Sequence, residues 1–417
     1  MIRITKKNVY SHVGRRCEPT LLSEHADDGD MRIAFVTDSY HPTIDGVVTI
    51  VDSIKDSLVA LGHEVFIVAP DPGEEHRIDG VYYFPAVSFP MYKGYYLPIL
   101  PSNKLEVLRK INPDVIHGYG IAFMALKGYI CAHEMKIPYV LTMTTMVTDT
   151  MEFYLPKFLP LEQTERLAWI YIREILNHSD AVITHTDPIM DELRTQGVNP
   201  RHVGIIPAGV ETEIFRPIEN CNTIKDELGI HDKRVIMHVG RISYEKHVDD
   251  IVRSLALLPD DVVLMVVGDG PARSDVERTV EGCGFMDRVF FTGFVNKTKL
   301  PEYYNTADVC VSCSRFETQG LSIMEAMACR KPIVCPNARA FSVIIEDKKD
   351  GFLFDGGMED MADKINLALE CDDSIRQAAM EKAQSYSKEN CARMLLNLYD
   401  HVIEAKKKRL AEKKSKR

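Results

Sequence analysis

Arg315-Phe-Glu317-Thr-Gln-Gly320-Leu-Ser-Ile-Met-Glu325-Ala-Met-Ala328 is the stretch that decides how this chain is read. It follows a strand-like run, Ala307-Asp-Val-Cys-Val-Ser312, and precedes a second apolar run, Lys331-Pro-Ile-Val-Cys335. The order is strand, loop, helix, strand, with one carboxylate in the loop and a second eight residues on. Gly320 lets the backbone turn tightly or approach a ligand closely. The helix opening at Leu321 offers free N–H groups and a positive dipole end, which suit a phosphate. Glu317 can reach a polyol beside that phosphate, and Glu325 is expected to face the same cleft about two turns further on. Taken alone, two glutamates near a helix are more often a solvated face.

The neighbouring units extend the pattern. Arg234-Val-Ile-Met-His-Val239 reads as a strand and ends in Gly240-Arg241, with Lys246 across the junction into the next helix. Ligands of parallel α/β sheets collect at the carboxyl ends of strands. An arginine fork with a lysine point charge suits a diphosphate there. Val262-Val-Leu-Met-Val-Val267 leads into Gly268-Asp-Gly270-Pro271, half of a dinucleotide fingerprint. Position 273 is Arg where the third glycine would stand, which rejects a nicotinamide reading.

The first half carries the same alternation. Met31-Arg-Ile-Ala-Phe-Val36 is a buried strand, followed by the Thr37–Gly46 loop with Tyr40, Asp45 and Gly46. An amphipathic helix from Val47 to about Leu61 follows, closed by Gly62, and then the strand Glu64-Val-Phe-Ile-Val-Ala69. Further strands are expected at 114–117, ending in His117, and at 138–142, 180–184 and 203–206, with helices near 122–133 and 161–178. The segment 85–101 mixes aromatics with Pro and Gly and suggests a loop that touches an apolar acceptor or a membrane, or packs on its own core. Residues 211–232 read as an interdomain linker.

The expected division is a leader at 1–30, disordered or preceding the true start, a first domain at 31–215, a second domain at 216–380, and a helix with a basic tail at 381–417. A chain of 417 residues is too long for one ordinary core and suits two domains. A net charge of −11 argues against a nucleic-acid partner. No apolar run is long enough to span a bilayer. Ten cysteines in a chain this long read as reduced thiols, and with no apolar export segment near the start they point to a cytoplasmic location. Cys310 and Cys313, three apart on a strand, should point to opposite faces rather than share a metal. The lysine-rich end at 406–417 suits a solvated tail or an anionic membrane surface.

Taken together, these motifs resemble the family 4 retaining glycosyltransferases. The likeness runs from about Met31 to Asp400 and rests on Asp45-Gly46, Pro113-Asp-Val-Ile-His117, Ile206-Pro-Ala-Gly-Val210, Gly240-Arg241 with Lys246, Val267-Gly-Asp-Gly-Pro271 and Glu317 with Glu325. The resemblance implies an α/β GT-B architecture, two Rossmann-like domains facing across a cleft, and a metal-independent transfer from a UDP- or GDP-hexose. It implies that Arg241 and Lys246 hold the diphosphate, Glu317 the sugar, and Glu325 the ribose. Val295 would border the base, and Gly46, Gly240, Gly268, Gly320 and Leu321 would complete the donor pocket. His117 would stand near the sugar's reactive face, and Tyr40, Asp45, Thr144 and Asp149 on the acceptor side.

The motif style is most similar to the branch that glycosylates diacylglycerol-type lipids, which suggests a peripheral enzyme on the inner membrane face. Two departures are Thr144, where that branch has His, and Arg330, where the family has a small residue. Transfer to a soluble or polysaccharide acceptor stays open, as do an isomerase or phosphorylase of the same architecture and a regulator without turnover.

Overall fold

The computed structural model describes residues 30–43, 45–88, 96–99, 105–146, 148–149, 151, 160–219, 221 and 223–415. The leader, except Asp30, and the centre of the 85–101 segment lie outside them. In the first half, the strands are β1 (Arg32–Thr37), β2 (Glu64–Pro70), β3 (Val81–Phe84), β4 (Ala86–Ser88), β5 (Tyr96–Pro98), β6 (Val115–Tyr119), β7 (Tyr139–Thr142), β8 (Ala181–Thr184) and β9 (Val203–Ile205). Seven of them form one sheet in the order β3-β2-β1-β6-β7-β8-β9, and β4 pairs antiparallel with β5. All pairs in the large sheet are parallel.

The second half supplies β10 (Arg234–Val239), β11 (Val262–Val267), β12 (Val289–Gly293), β13 (Val309–Val311), β14 (Ile333–Pro336) and β15 (Phe352–Phe354). Their order is β12-β11-β10-β13-β14-β15, again parallel. Strand order reverses beside β1 and beside β10, which leaves an open crevice at the carboxyl end of each sheet. The fold is two doubly wound Rossmann-like domains.

Local sequence explains the elements. In β1, Ile33 and Phe35 enter one core while Ala34 and Val36 enter the other, the period of two expected of a strand covered on both faces. The helix Gly46–Ala60 is capped by Asp45, whose Oδ1 accepts from the Val48 N–H at 2.9 Å. Its Val48, Val51, Ile54 and Leu58 form one buried stripe. Gly62, at φ +97°, takes the left-handed position after the helix. Cys310 and Cys313 lie in the cores on opposite faces of the second sheet.

The helix Lys388–Ser415 belongs to the first domain by packing. Its Cys391, Ala392, Leu395, Leu396, Tyr399 and Val402 join the core under β1 and the helix Gly46–Ala60. Further along it, Lys406 and Arg409 donate to Asp180, each at 2.7 Å. The crossover is stitched where the Val210 N–H donates to Tyr386 O and the Lys388 N–H to Val210 O.

One expectation fails here. Residues 211–232 are not a free linker: Phe215, Ile224 and Ile230 are buried in the second domain's core, and 223–228 is helical. Their polar neighbours hid three well-spaced anchors.

Candidate active site

The second sheet's crevice is lined by the loops after β10 and β13. The β10 loop carries Arg241 and then a 3-10 turn, Tyr244–Lys246. The β13 loop carries Glu317. The Lys246 ammonium donates directly to Glu317 Oε1, with 25% and 19% of the two side chains exposed. Burial pushes the Glu317 carboxyl up, but the Lys246 charge and hydrogen bond outweigh it and hold it below the ordinary glutamate range. Arg241 lies at the exposed rim. Partial burial of its guanidinium favours the neutral form, while Glu245 and, from the other domain, Asp45 favour the charged one. A cation on one domain therefore faces a helix cap on the other.

Glycines fix this geometry. Gly320 sits at φ +83° with the Phe341 ring where a Cβ would be, so only glycine fits. The helix Leu321–Ala328 starts there and aims its free N–H groups at the crevice. Leu321 and Val295 both pack half-buried on the second domain's core. A Cβ at Gly268 would overlap the Gly240 carbonyl. Gly268 is thus explained by the close approach of two loops, and the Gly240 N–H donates to Val267 O.

Glu325 does not lie open to the cleft as expected. It is 7% exposed, and its Oε2 accepts from Tyr304 OH at 2.7 Å. Burial raises its carboxyl to about 7, against the opposing effects of the Tyr304 hydrogen bond and the Lys297 charge.

In the first domain, Asp45 Oδ2 also accepts from Ser39 Oγ at 2.8 Å. Gly46 is exposed, with no atom within 4 Å of where its Cβ would be. That space is open to a ligand at the start of the helix.

Four expected positions are engaged within the protein itself. His117 is 1% exposed, with Nδ1 paired to Tyr399 OH and Nε2 to Thr142 Oγ1, each at 2.6 Å. It also stacks on Tyr119, and burial lowers it to about 3. It is a neutral strut joining the returning helix to the sheet, with no nitrogen free for a sugar. Tyr40 turns inward, its OH donating to Asp52 at 2.7 Å. Asp149 is held by Arg339 of the second domain instead of facing an acceptor freely. Thr144 is buried, and its carbonyl accepts from Thr318 Oγ1 at 3.0 Å.

Sequence reasoning missed two groups. Tyr304, the partner of Glu325, lies outside any motif. His238, two residues before Gly240, is 3% exposed, and its Nε2 has no hydrogen-bond partner among the described residues. Burial lowers it to about 4, with Lys246 and Glu317 close enough to influence it. The signal was a polar residue inside an apolar strand, at the end where ligands bind.

Comparison with known proteins agrees with this fold. The family description "Glycosyltransferase Family 4" matches residues 44–214, and "Glycosyl transferases group 1" matches residues 221–387. The alpha-monoglucosyldiacylglycerol synthase of Streptococcus pneumoniae is 30% identical over 385 residues, 89% of this chain and 86% of that one. A GDP-mannose-dependent alpha-mannosyltransferase of Mycobacterium tuberculosis is 30% identical over 334 residues, 78% of this chain and 84% of that one. The crystal structure of Anabaena HepE in complex with UDP superposes with a TM-score of 0.74 at 19% identity, covering 89% of this chain and 100% of that one. With both family descriptions matched in turn along the chain and the pneumococcal relative covered over most of its length, the chain belongs to the family 4 glycosyltransferases of GT-B architecture.

Proposed function

We propose that the protein is a retaining hexosyltransferase that moves a hexose from a UDP- or GDP-hexose to a hydroxyl of a membrane glycerolipid, working against an anionic membrane surface. The observation that carries this is the contact between Lys246 and Glu317 at the second switch point. Without donor, each neutralises the other. With donor, the ammonium shifts to the diphosphate and the carboxylate accepts from the sugar hydroxyls, so the cation keeps an anionic partner and the carboxylate keeps its hydrogen bonds.

Negative charge grows on the departing diphosphate as the sugar becomes oxocarbenium-like. Arg241, Lys246 and the N-terminus of the helix Leu321–Ala328 are placed to stabilise it. The sugar–phosphate bond breaks as the acceptor oxygen bonds to the anomeric carbon from the same face. The acceptor's proton passes to the leaving phosphate oxygen. This route needs no protein base, and His117, the histidine the sequence offered for the sugar's reactive face, is fully engaged elsewhere.

The lipid acceptor is supported by the likeness to the pneumococcal alpha-monoglucosyldiacylglycerol synthase, which holds over most of that chain's length. Among the described residues, no helix is long and apolar enough to cross a membrane. Lys407, Lys408, Lys413 and Lys414 are exposed along the returning helix, free of the clamp that Lys406 and Arg409 make with Asp180.

The test is to incubate the full chain with a panel of nucleotide sugars, with and without lipid extract. Released nucleoside diphosphate and the anomeric configuration of the product are then measured. Release that requires lipid and gives an α-product supports the reading. Release that requires a soluble glycan would move the acceptor, and isotope exchange without acceptor would point to isomerisation.

A further inference from the structure

We propose that Arg339 is a positioning residue that couples the donor loop carrying Glu317 to the acceptor-side loop carrying Asp149, so that the sugar carboxylate is set for transfer only when the two domains are clasped. The inference rests on the transferase reading above and deepens it.

Several observations converge on one spot. Arg339 follows β14 and adopts φ +42°, a left-handed backbone that a long side chain avoids unless its surroundings hold it there. Its guanidinium fork spans the domain boundary. It donates to both oxygens of Asp149, one at 2.9 Å, and to Glu192 Oε1 at 2.9 Å. The Arg339 and Asp149 side chains are only 19% and 13% exposed, so the pair is poorly screened. The same guanidinium lies over the ring of Phe316, 5.6 Å from its centroid. Phe316 directly precedes Glu317.

The residues after Glu317 grip the first domain as well. Thr318 Oγ1 donates to Thr144 O at 3.0 Å, and Thr318 O accepts from Thr186 Oγ1 at 3.1 Å. The Gln319 amide, 3% exposed, pairs with both the N–H and the carbonyl of Ala208. Glu317 is thus bracketed by contacts to the opposite domain: Phe316 through Arg339 on one side, Thr318 and Gln319 on the other. A loop bracketed in this way cannot keep its carboxylate in place if the domains part. Opening would release the sugar's grip while leaving Arg241 and Lys246 on their own domain with the diphosphate. Donor binding and donor activation are thereby separable, and an unclasped site would lose more donor to water.

A charge swap on the full chain tests this. Arg339→Asp and Asp149→Arg should each lower kcat for transfer by about 10²-fold, as a misplaced reacting group does. KM for the nucleotide sugar should move by less than about threefold, since the diphosphate grip is untouched. The fraction of donor hydrolysed should rise. The double variant restores opposite charges and should recover at least about tenfold. Where Arg339→Asp does not fold, Arg339→Gln serves, because it takes the guanidinium away from Phe316 and Asp149 without placing a negative charge beside Asp149. Unchanged kcat and hydrolysis in Arg339→Gln, or a swap with no recovery, overturns the proposal.

Absence of any sugar-nucleotide turnover in the unmodified protein would instead overturn the function proposed above. The clasp is then read by hydrogen exchange over residues 316–320. Asp149→Asn should speed that exchange if the clasp exists, and an unchanged rate sinks it.

Discussion

At the scale of single residues, Glu325 and Glu317 are the same amino acid pushed in opposite directions. Glu325 is raised from 4.5 to about 7 by burial. Its stabilising contribution is therefore complete below about 4.5 and is lost as pH climbs through about 7. Ribose hydroxyls donate to the ionised form, so nucleoside diphosphate should bind more tightly as pH rises through about 7. At one unit below that point, affinity should fall about tenfold from its plateau. Titration calorimetry across pH checks this, and Glu325→Gln should remove the Glu325 component of the slope. For Lys246→Ala, we expect kcat/KM to fall by about 10²-fold. With its ammonium gone, burial on Glu317 is opposed only by the weaker influences of Ser314 and His238, and the acid limb of the rate profile should move to higher pH. A limb that stays put would show that the pairing does not govern Glu317. Glu317, Gly320 and Glu325 were legible as a candidate motif because their spacing is local: they share one loop and helix. Tyr304, His238 and Arg339 were not, because each acquires its role only from neighbours brought by other strands.

Among elements, the short helix Leu321–Ala328 and the long helix Lys388–Ser415 set the geometry from opposite ends. Gly320→Ala forces a Cβ into Phe341 at a left-handed φ. We expect a loss of roughly 1–3 kcal/mol of stability, read by denaturant unfolding, together with weaker nucleotide binding. Tyr399→Phe strips His117 Nδ1 of its partner and should cost about 1–3 kcal/mol. Transfer by the folded protein should stay within about threefold of the parent, because His117 acts only as a strut. Lost turnover without lost stability would return His117 to the chemistry. The strands and most helices were readable from apolar runs of the right length, as with Arg32–Thr37 and Leu161–His178. The elements that escaped were short. β3 and β15 have four and three residues, too few to show a period, and are held by their sheet neighbours. His117 read as a ligand because a histidine ending a strand looks alike whether it meets solvent or a distant helix.

Over the whole molecule, charge is unevenly spread: the net is −11, yet lysines crowd the far part of the returning helix. Replacing Lys407, Lys408, Lys413 and Lys414 by Glu should weaken binding to vesicles containing anionic lipid by about 1 kcal/mol per lost cation. The effect should fade at high salt, and vesicle sedimentation reads it. The two-domain plan was visible in the sequence as repeated strand–helix alternation, and the returning helix was expected from the family resemblance. The domain contact was not visible, since Arg339 and Asp149 stand 190 positions apart. That returning helix also sets an order on biosynthesis. The core under β1 is completed by Leu395, Leu396 and Tyr399. A nascent chain leaving the ribosome must carry its first domain unfinished, with one apolar face bare, until the entire second sheet has been made. Chaperones would meet this protein early and release it late.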